Sequence, residues 1–185
     1  MRHWRENMTM VLFAYIGLGF PDIDQLFLPI LHHRSIITHS IAIPVAFLLW
    51  RNKAVSFAVF GFILGVSIHI SADVLSNPVG FGMVWLPWPI KIPLGPLSPL
   101  WLAANAVVGL VWAKTSLLQL GGRKSIILYA TLATVLAFTY ALFHENGLVP
   151  LLSFAIIFAI SSFATKWVIR QAWYGRLPDA KSTQA

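Results

Sequence analysis

The chain alternates between long apolar runs and short polar breaks. The runs define six predicted helices: Met8–Phe20, Ile36–Trp50, Ala54–Leu75, Leu100–Ala113, Ser125–Phe143 and Leu148–Lys166. Several approach the ~20 apolar residues that carry a helix across a bilayer. The first is short for a span and could begin as early as Trp4. Ser98-Pro99 marks the start of the fourth, with proline at its first helical position. Gly61 and Gly65, four apart in the third, permit close packing against a neighbour. Pro44 and Pro150 predict kinks. The expectation is an all-α, polytopic transmembrane helical bundle of about six spans. It forms a single domain over 1–175 followed by a polar tail, 176–185.

Composition sharpens this. Of 185 residues, 58% are hydrophobic and 10% charged, with mean hydropathy +0.76; soluble domains carry about 25% charged residues. With no cysteine, disulfides and thiolate metal sites are excluded. Arg2 and Arg5 precede an apolar run that ends in Pro21-Asp22, not in a small-residue cleavage site. The net charge is +7, and its placement explains it. Threading the six helices puts every Lys and Arg except Arg34 and Lys91 on one side. The positive-inside rule makes that side cytoplasmic and places both termini there. The expected location is the inner (plasma) membrane, with anionic lipid rather than nucleic acid as the partner of the basic loops. Trp50, Trp85, Trp88, Trp101, Trp112, Trp167 and Trp173 fall near span ends, as an aromatic belt does.

The scarce chemistry is concentrated. The chain has six acidic residues and six histidines. Asp22 and Asp24 end the first helix, His32, His33 and His39 bracket the start of the second, and His69 and Asp73 close the third. All three ends lie on the non-cytoplasmic side of a topology derived from Lys and Arg alone. Singly, each has an ordinary reading as a turn or a polar helix end. Together they form an oxygen and nitrogen donor set suited to Zn²⁺, Mn²⁺ or Mg²⁺. His69 and Asp73 are i and i+4, on one helix face. Asp22, Asp24, His33, His39, His69 and Asp73 are the candidate metal ligands, with zinc foremost. Arg34 among them can hold a phosphate or carboxylate. The long loop Ser76–Pro99, rich in Pro, Gly and Trp, leaves from the same face and is expected to lie on the membrane surface over the site. His144 and Glu145 fall on this side too.

Over about residues 10–95 the chain resembles the predicted membrane-bound metal-dependent hydrolases, a group that includes inner-membrane proteins linked to LexA and the SOS response. The shared elements are Pro21-Asp22-Ile23-Asp24, His33-Arg34 with Thr38-His39-Ser40, Gly65 followed by His69 and Asp73, and the Gly82–Lys91 loop with Trp-Leu-Pro-Trp-Pro. The chain departs from the pattern in placing three residues, Ser35, Ile36 and Ile37, between Arg34 and Thr38, which leaves both His32 and His33 as the equivalent ligand. It also lacks the initial helix bearing Thr-His that many members have. The resemblance implies hydrolysis by a metal-activated water, with Asp24 or Asp73 as proton acceptor and Arg34 or Lys91 stabilising the developing anion. A phosphoester of a lipid or lipid-linked molecule is the expected substrate. A metal or proton transporter, which would need deeper polar groups such as Asn105, and a non-catalytic regulator are the alternatives.

Overall fold

The computed structural model describes residues 2–48, 56–76, 82–144 and 147–174. Trp50, Arg51, Lys53, Asn77, Pro78, Gly80, Glu145, Arg176, Lys181 and the tail 176–185 lie outside the described residues, as do the side chains of Arg123, Lys124 and Trp173.

The described chain is helical. Helix α1 (Arg2–Gly19) leads into a 3-10 turn, Pro21–Phe27. A short α2 (Ala42–Leu48) follows, then α3 (Ser56–Asp73), α4 (Ser98–Phe143) and α5 (Leu148–Tyr174). Helix α4 is not one straight rod. Leu110 and Tyr129 are 19 residues apart, about 28 Å along a continuous helix, yet the Tyr129 hydroxyl donates to the Leu110 carbonyl at 3.3 Å. The helical chain therefore doubles back, and its two arms, Gly95–Gln119 and Ile126–Phe143, run antiparallel.

Those two arms and Leu148–Arg170 are long and apolar enough to cross a membrane; a fourth candidate is the pair Trp4–Gly19 and Pro21–Phe27, bent by 46°. The apolar stretch of α3, Phe57–Asp73, is shorter. About six spans is thus a larger number than these helices supply. The main departure is the expected second span. Over residues 35–40, side chains take the bonds a helix would use: Ser35 Oγ accepts from Ile37 N, Thr38 Oγ1 reaches Ser35 O and Ser40 Oγ donates to Ile37 O. Ser and Thr compete with the helical ladder in this way, so the helix starts only at Ala42. Pro44 and Pro150 produce no internal kinks. Each is the third residue of its helix, where the missing N–H has no intrahelical partner to lose.

The core is a slab of α3 between α1 and the α4 hairpin, closed by α5. Ile63, Leu64, Val66, Ile68 and Ile70 of α3 are fully buried with Ala14, Ala106 and Leu110. Gly61 and Gly65 allow the tight approach of α1: a methyl group on either would collide with the backbone of Met10 or Ala14, and one on Gly17 with that of Phe62. The outward faces remain apolar. Ile127 is 71% exposed and Phe163 77%, which in water would be a liability and in lipid is a match.

The C-terminal ends of α1, α3 and the second α4 arm meet the N-terminal ends of the first α4 arm and α5. His69 of α3 touches Tyr140, Trp101 holds the His39 carbonyl, and the Ser153 hydroxyl bonds Ser71 O. His33, His39 and His69 gather at this end with Asp22, Asp24 and Asp73. Lys114, which contacts Ser162 of α5, sits towards the opposite end.

Candidate metal centre

The site is assembled from the turn after α1, the irregular 32–41 segment and the last turn of α3. His69 is buried, and its Nδ1 lies 2.8 Å from the carbonyl of Leu18. A carbonyl only accepts, so Nδ1 carries the hydrogen and Nε2 presents a lone pair. His39 is arranged alike. Its Nδ1 stands 3.2 Å from Thr38 Oγ1 and 3.3 Å from Asp24 Oδ2; the Thr38 hydroxyl donates to that carboxylate, so both oxygens face the ring as acceptors and Nε2 is turned the other way.

The two Nε2 atoms meet the same oxygen. Asp73 Oδ2 is 3.4 Å from His39 Nε2 and 3.4 Å from His69 Nε2. Asp22 Oδ1 is 3.9 Å from His69 Nε2, and Asp22, His39 and His69 each offer an atom within 4.8 Å of the others. Metal–donor distances of ~2.0–2.1 Å place the donors of a tetrahedral ion about 3.3 Å apart, close to the spacing seen. His39 Nε2 and Asp73 Oδ2 are buried and have no hydrogen-bond partner among the described residues. Buried polar atoms are rarely left so. With the ring hydrogens on Nδ1, these atoms are lone-pair donors facing one another, an arrangement that fits a cation.

Supports stand behind each donor. Asp24 is fully buried and accepts from Ser35 N at 3.0 Å and Thr38 Oγ1 at 2.8 Å, besides its contacts with His39 and with His33 Nδ1, at 3.3 Å. Of the expected ligands, Asp24 and His33 therefore lie one layer back from the converging atoms, orienting His39 as outer-sphere carboxylates commonly do. Asp73 is held by Arg34, whose Nη2 bonds Oδ1 at 2.8 Å, leaving Oδ2 to the histidines. Arg34 Nη1 donates to Gly82 O at 2.9 Å and to the Ser76 hydroxyl. Rather than standing open for a substrate, Arg34 is 7% exposed and committed, though its Nε has no partner among the described residues. His32, Arg34 and Lys91 adopt left-handed backbone, with φ of 64°, 54° and 46°. That conformation costs a non-glycine residue ~1–3 kcal/mol and collects at functional sites. The contacts of Arg34 and the stacking of His32 on Trp85 at 4.0 Å offset it here.

The loop after α3 forms a narrow hairpin pinned to the site. Leu86 N bonds Ile92 O, Leu94 N bonds Val84 O, and Trp85 exchanges backbone bonds with Arg34 and Ile36. Its tip carries exposed Trp88, Ile90 and Ile92 with Lys91 among them, and the N–H of Trp88 bonds Ile30 O at 2.7 Å. Lys91 thus belongs to an outward apolar rim. Asn105 is spent on backbone: it accepts from Ile41 N and donates to Trp101 O, so it does not supply the deeper polar group a transporter would need.

Helices beyond residue 100 contribute what the sequence did not signal. Tyr140, in the second α4 arm, is buried with its hydroxyl 3.3 Å from His69 Nε2. Trp101 Nε1 donates to the His39 carbonyl at 3.1 Å. The one available hint was spacing: Tyr140 and His144 share a helix face at the site end, and their rings stack at 5.3 Å.

The described residues define an all-helical fold, with three to four helices apolar enough to span a membrane and a His/Asp cluster that could hold a metal ion. No family model, no curated protein and no solved structure matches the chain.

Proposed function

We propose that this protein is a membrane-embedded, metal-dependent hydrolase acting on a phosphoester of a lipid or lipid-linked molecule at the non-cytoplasmic face of the inner membrane, with both termini cytoplasmic. One observation carries the reading: the Nε2 atoms of His39 and His69 converge with carboxylate oxygens of Asp22 and Asp73, and each imidazole is fixed from behind by a dedicated acceptor. A structural His–Asp pair would place a proton between nitrogen and oxygen. With each ring neutral and its hydrogen on Nδ1, towards Leu18 O and towards the Thr38 and Asp24 oxygens, the facing atoms all present lone pairs. Zinc suits two imidazoles with carboxylates best, and manganese or magnesium is the next choice.

A bound divalent ion would supply a Lewis acid and a water acidic enough to act as hydroxide near neutral pH. The chain's own groups do the remainder. Asp22, 36% exposed at its side chain, sits at the mouth and can accept a proton. Arg34 holds Asp73 in place through its bond to Oδ1. The apolar rim of Trp88, Ile90 and Ile92, bonded through Trp88 to the 30s segment, suits the bilayer surface, where Trp and Lys settle at headgroup depth. That position favours a lipid-like substrate. The resemblance to the membrane-bound metal-dependent hydrolases points the same way.

The test is the metal content of detergent-purified protein beside His69→Ala and Asp73→Ala. About one equivalent of zinc or manganese in the wild type, lost in both variants, supports the centre and justifies a phosphoester screen. Wild-type protein that takes up no metal after reconstitution refutes it.

A further inference from the structure

The end of the bundle opposite the metal centre carries a charge cluster of its own. Lys114 of the first α4 arm is half-buried, and its Nζ donates to the Ser162 hydroxyl of α5 at 3.4 Å. Lys166 follows Ser162 by one turn on the same face of α5, and its charge acts on Lys114. Two ammonium groups thus flank one hydroxyl. Among the described residues, neither lysine has a carboxylate within salt-bridge reach. Among them, too, Ser162 makes no hydrogen bond besides the one it accepts from Lys114, which leaves its O–H to donate. Like charges held together without a counter-ion repel one another, so the cluster calls for an anion.

Depth identifies the source of that anion. Lys114 precedes the span end at Gln119, and Lys166 the span end at Arg170, by ~6–8 Å along the helix axis. The headgroup layer is ~5–8 Å thick at each bilayer surface, so both lysines stand level with lipid phosphates. Trp167 and Phe163, next to Lys166 and Ser162 on α5, are 61% and 77% exposed, as suits aromatic rings at the headgroup boundary. We infer that Lys114, Ser162 and Lys166 bind the phosphate of an anionic phospholipid seated between the first arm of α4 and α5. Basic pockets between spanning helices hold anionic headgroups by the same means. A choline headgroup would bring its own cation to the two ammonium groups, whereas a glycerol headgroup leaves the phosphate charge to them. The inference rests on the membrane reading of the fold and is independent of the metal centre.

Native mass spectrometry of the detergent-purified full chain measures retention of phosphatidylglycerol and phosphatidylcholine by wild type, Lys114→Gln, Lys166→Gln and Arg123→Gln. Arg123 falls between the two α4 arms, and its replacement removes the same charge elsewhere. The expected result is a preference of wild type for phosphatidylglycerol, weakened about fivefold in each lysine variant, the share of one cation near anionic lipid, and kept in Arg123→Gln. Lys166 is exposed, so its variant carries the test where Lys114→Gln alters folding. Equal retention of the two lipids by wild type, or unchanged retention in the lysine variants, overturns the inference. An equal loss in Arg123→Gln means diffuse attraction and overturns it too, and displacement of the lipid by millimolar inorganic phosphate assigns the site to free phosphate instead. Protein that stays monodisperse without detergent refutes the membrane reading itself, and the inference with it.

Discussion

Asp24 separates a support from a ligand, and replacing it tests the architecture of the site. Its Oδ2 receives Ser35 N, Thr38 Oγ1 and the His39 Nδ1 hydrogen, while Oδ1 faces His33 Nδ1. Asparagine fits in one orientation: the amide oxygen replaces Oδ2 and keeps three donors, and the amide nitrogen faces His33, which can present its lone pair instead. Asp24→Asn therefore keeps the geometry and removes the charge behind His39. Asp24→Ala removes every bond and frees the 35–39 segment. Outer-sphere partners of ligating histidines are worth 10–100-fold in metal affinity. The asparagine variant should fall near the lower end, ~1.4 kcal/mol, and the alanine variant near the upper, ~2.7 kcal/mol. Competition with a chelating dye at constant pH measures both, with monodisperse elution in detergent as the folding control. His69→Ala, which deletes a converging donor, should fall below either. If Asp24→Asn loses metal as completely as His69→Ala, Asp24 coordinates directly and the layered arrangement is wrong; if Asp24→Ala binds as tightly as wild type, the hydrogen bond to His39 contributes nothing.

Gly65→Ala should lower the thermal midpoint of the detergent-solubilised protein, by an overpacking cost of ~1–3 kcal/mol, because its methyl meets the Ala14 backbone; Gly19→Ala, with nothing within 4 Å, should leave the midpoint near that of wild type. Arg34→Lys should reduce metal affinity without abolishing it, since one ammonium cannot hold Asp73, Gly82 and Ser76 together; unchanged affinity would mean that Asp73 needs no orientation. Metal should be released as pH falls, because ligands must be free of protons to bind and protons compete for the same lone pairs. A chelator titration over pH 5–8 showing no such dependence would exclude the histidines as ligands.

Much of the organisation was legible along the chain. Apolar runs located α1, α3, both arms of α4 and α5, because a helix facing lipid must be apolar over most of its surface and length sets what can cross. The scarcity of acids and histidines located the site, since ionisable groups near an apolar bundle persist where something uses them. Gly61 and Gly65 signalled a close helix contact without naming the neighbour, which the backbone approach at Met10 and Ala14 identifies as α1. Hydropathy misled at residues 36–41, where Ile36, Ile37 and Ile41 extend an apolar run but the Ser and Thr hydroxyls between them divert the backbone bonds. Sequence also could not rank the donors. Asp22 and Asp24 are two residues apart, and only the 3-10 turn decides that Asp22 faces the histidines while Asp24 stands behind His39. Tyr140 reaches His69 across 71 residues because the α4 hairpin returns it there, a long-range closure that leaves no local pattern. What the chain determined by itself was therefore the apolar length of its helices, their places along the chain and the chemical inventory, all set by composition and period. Which atoms converge, which way each imidazole points and which helix completes the pocket were decided by packing, because those depend on contacts between segments far apart in sequence.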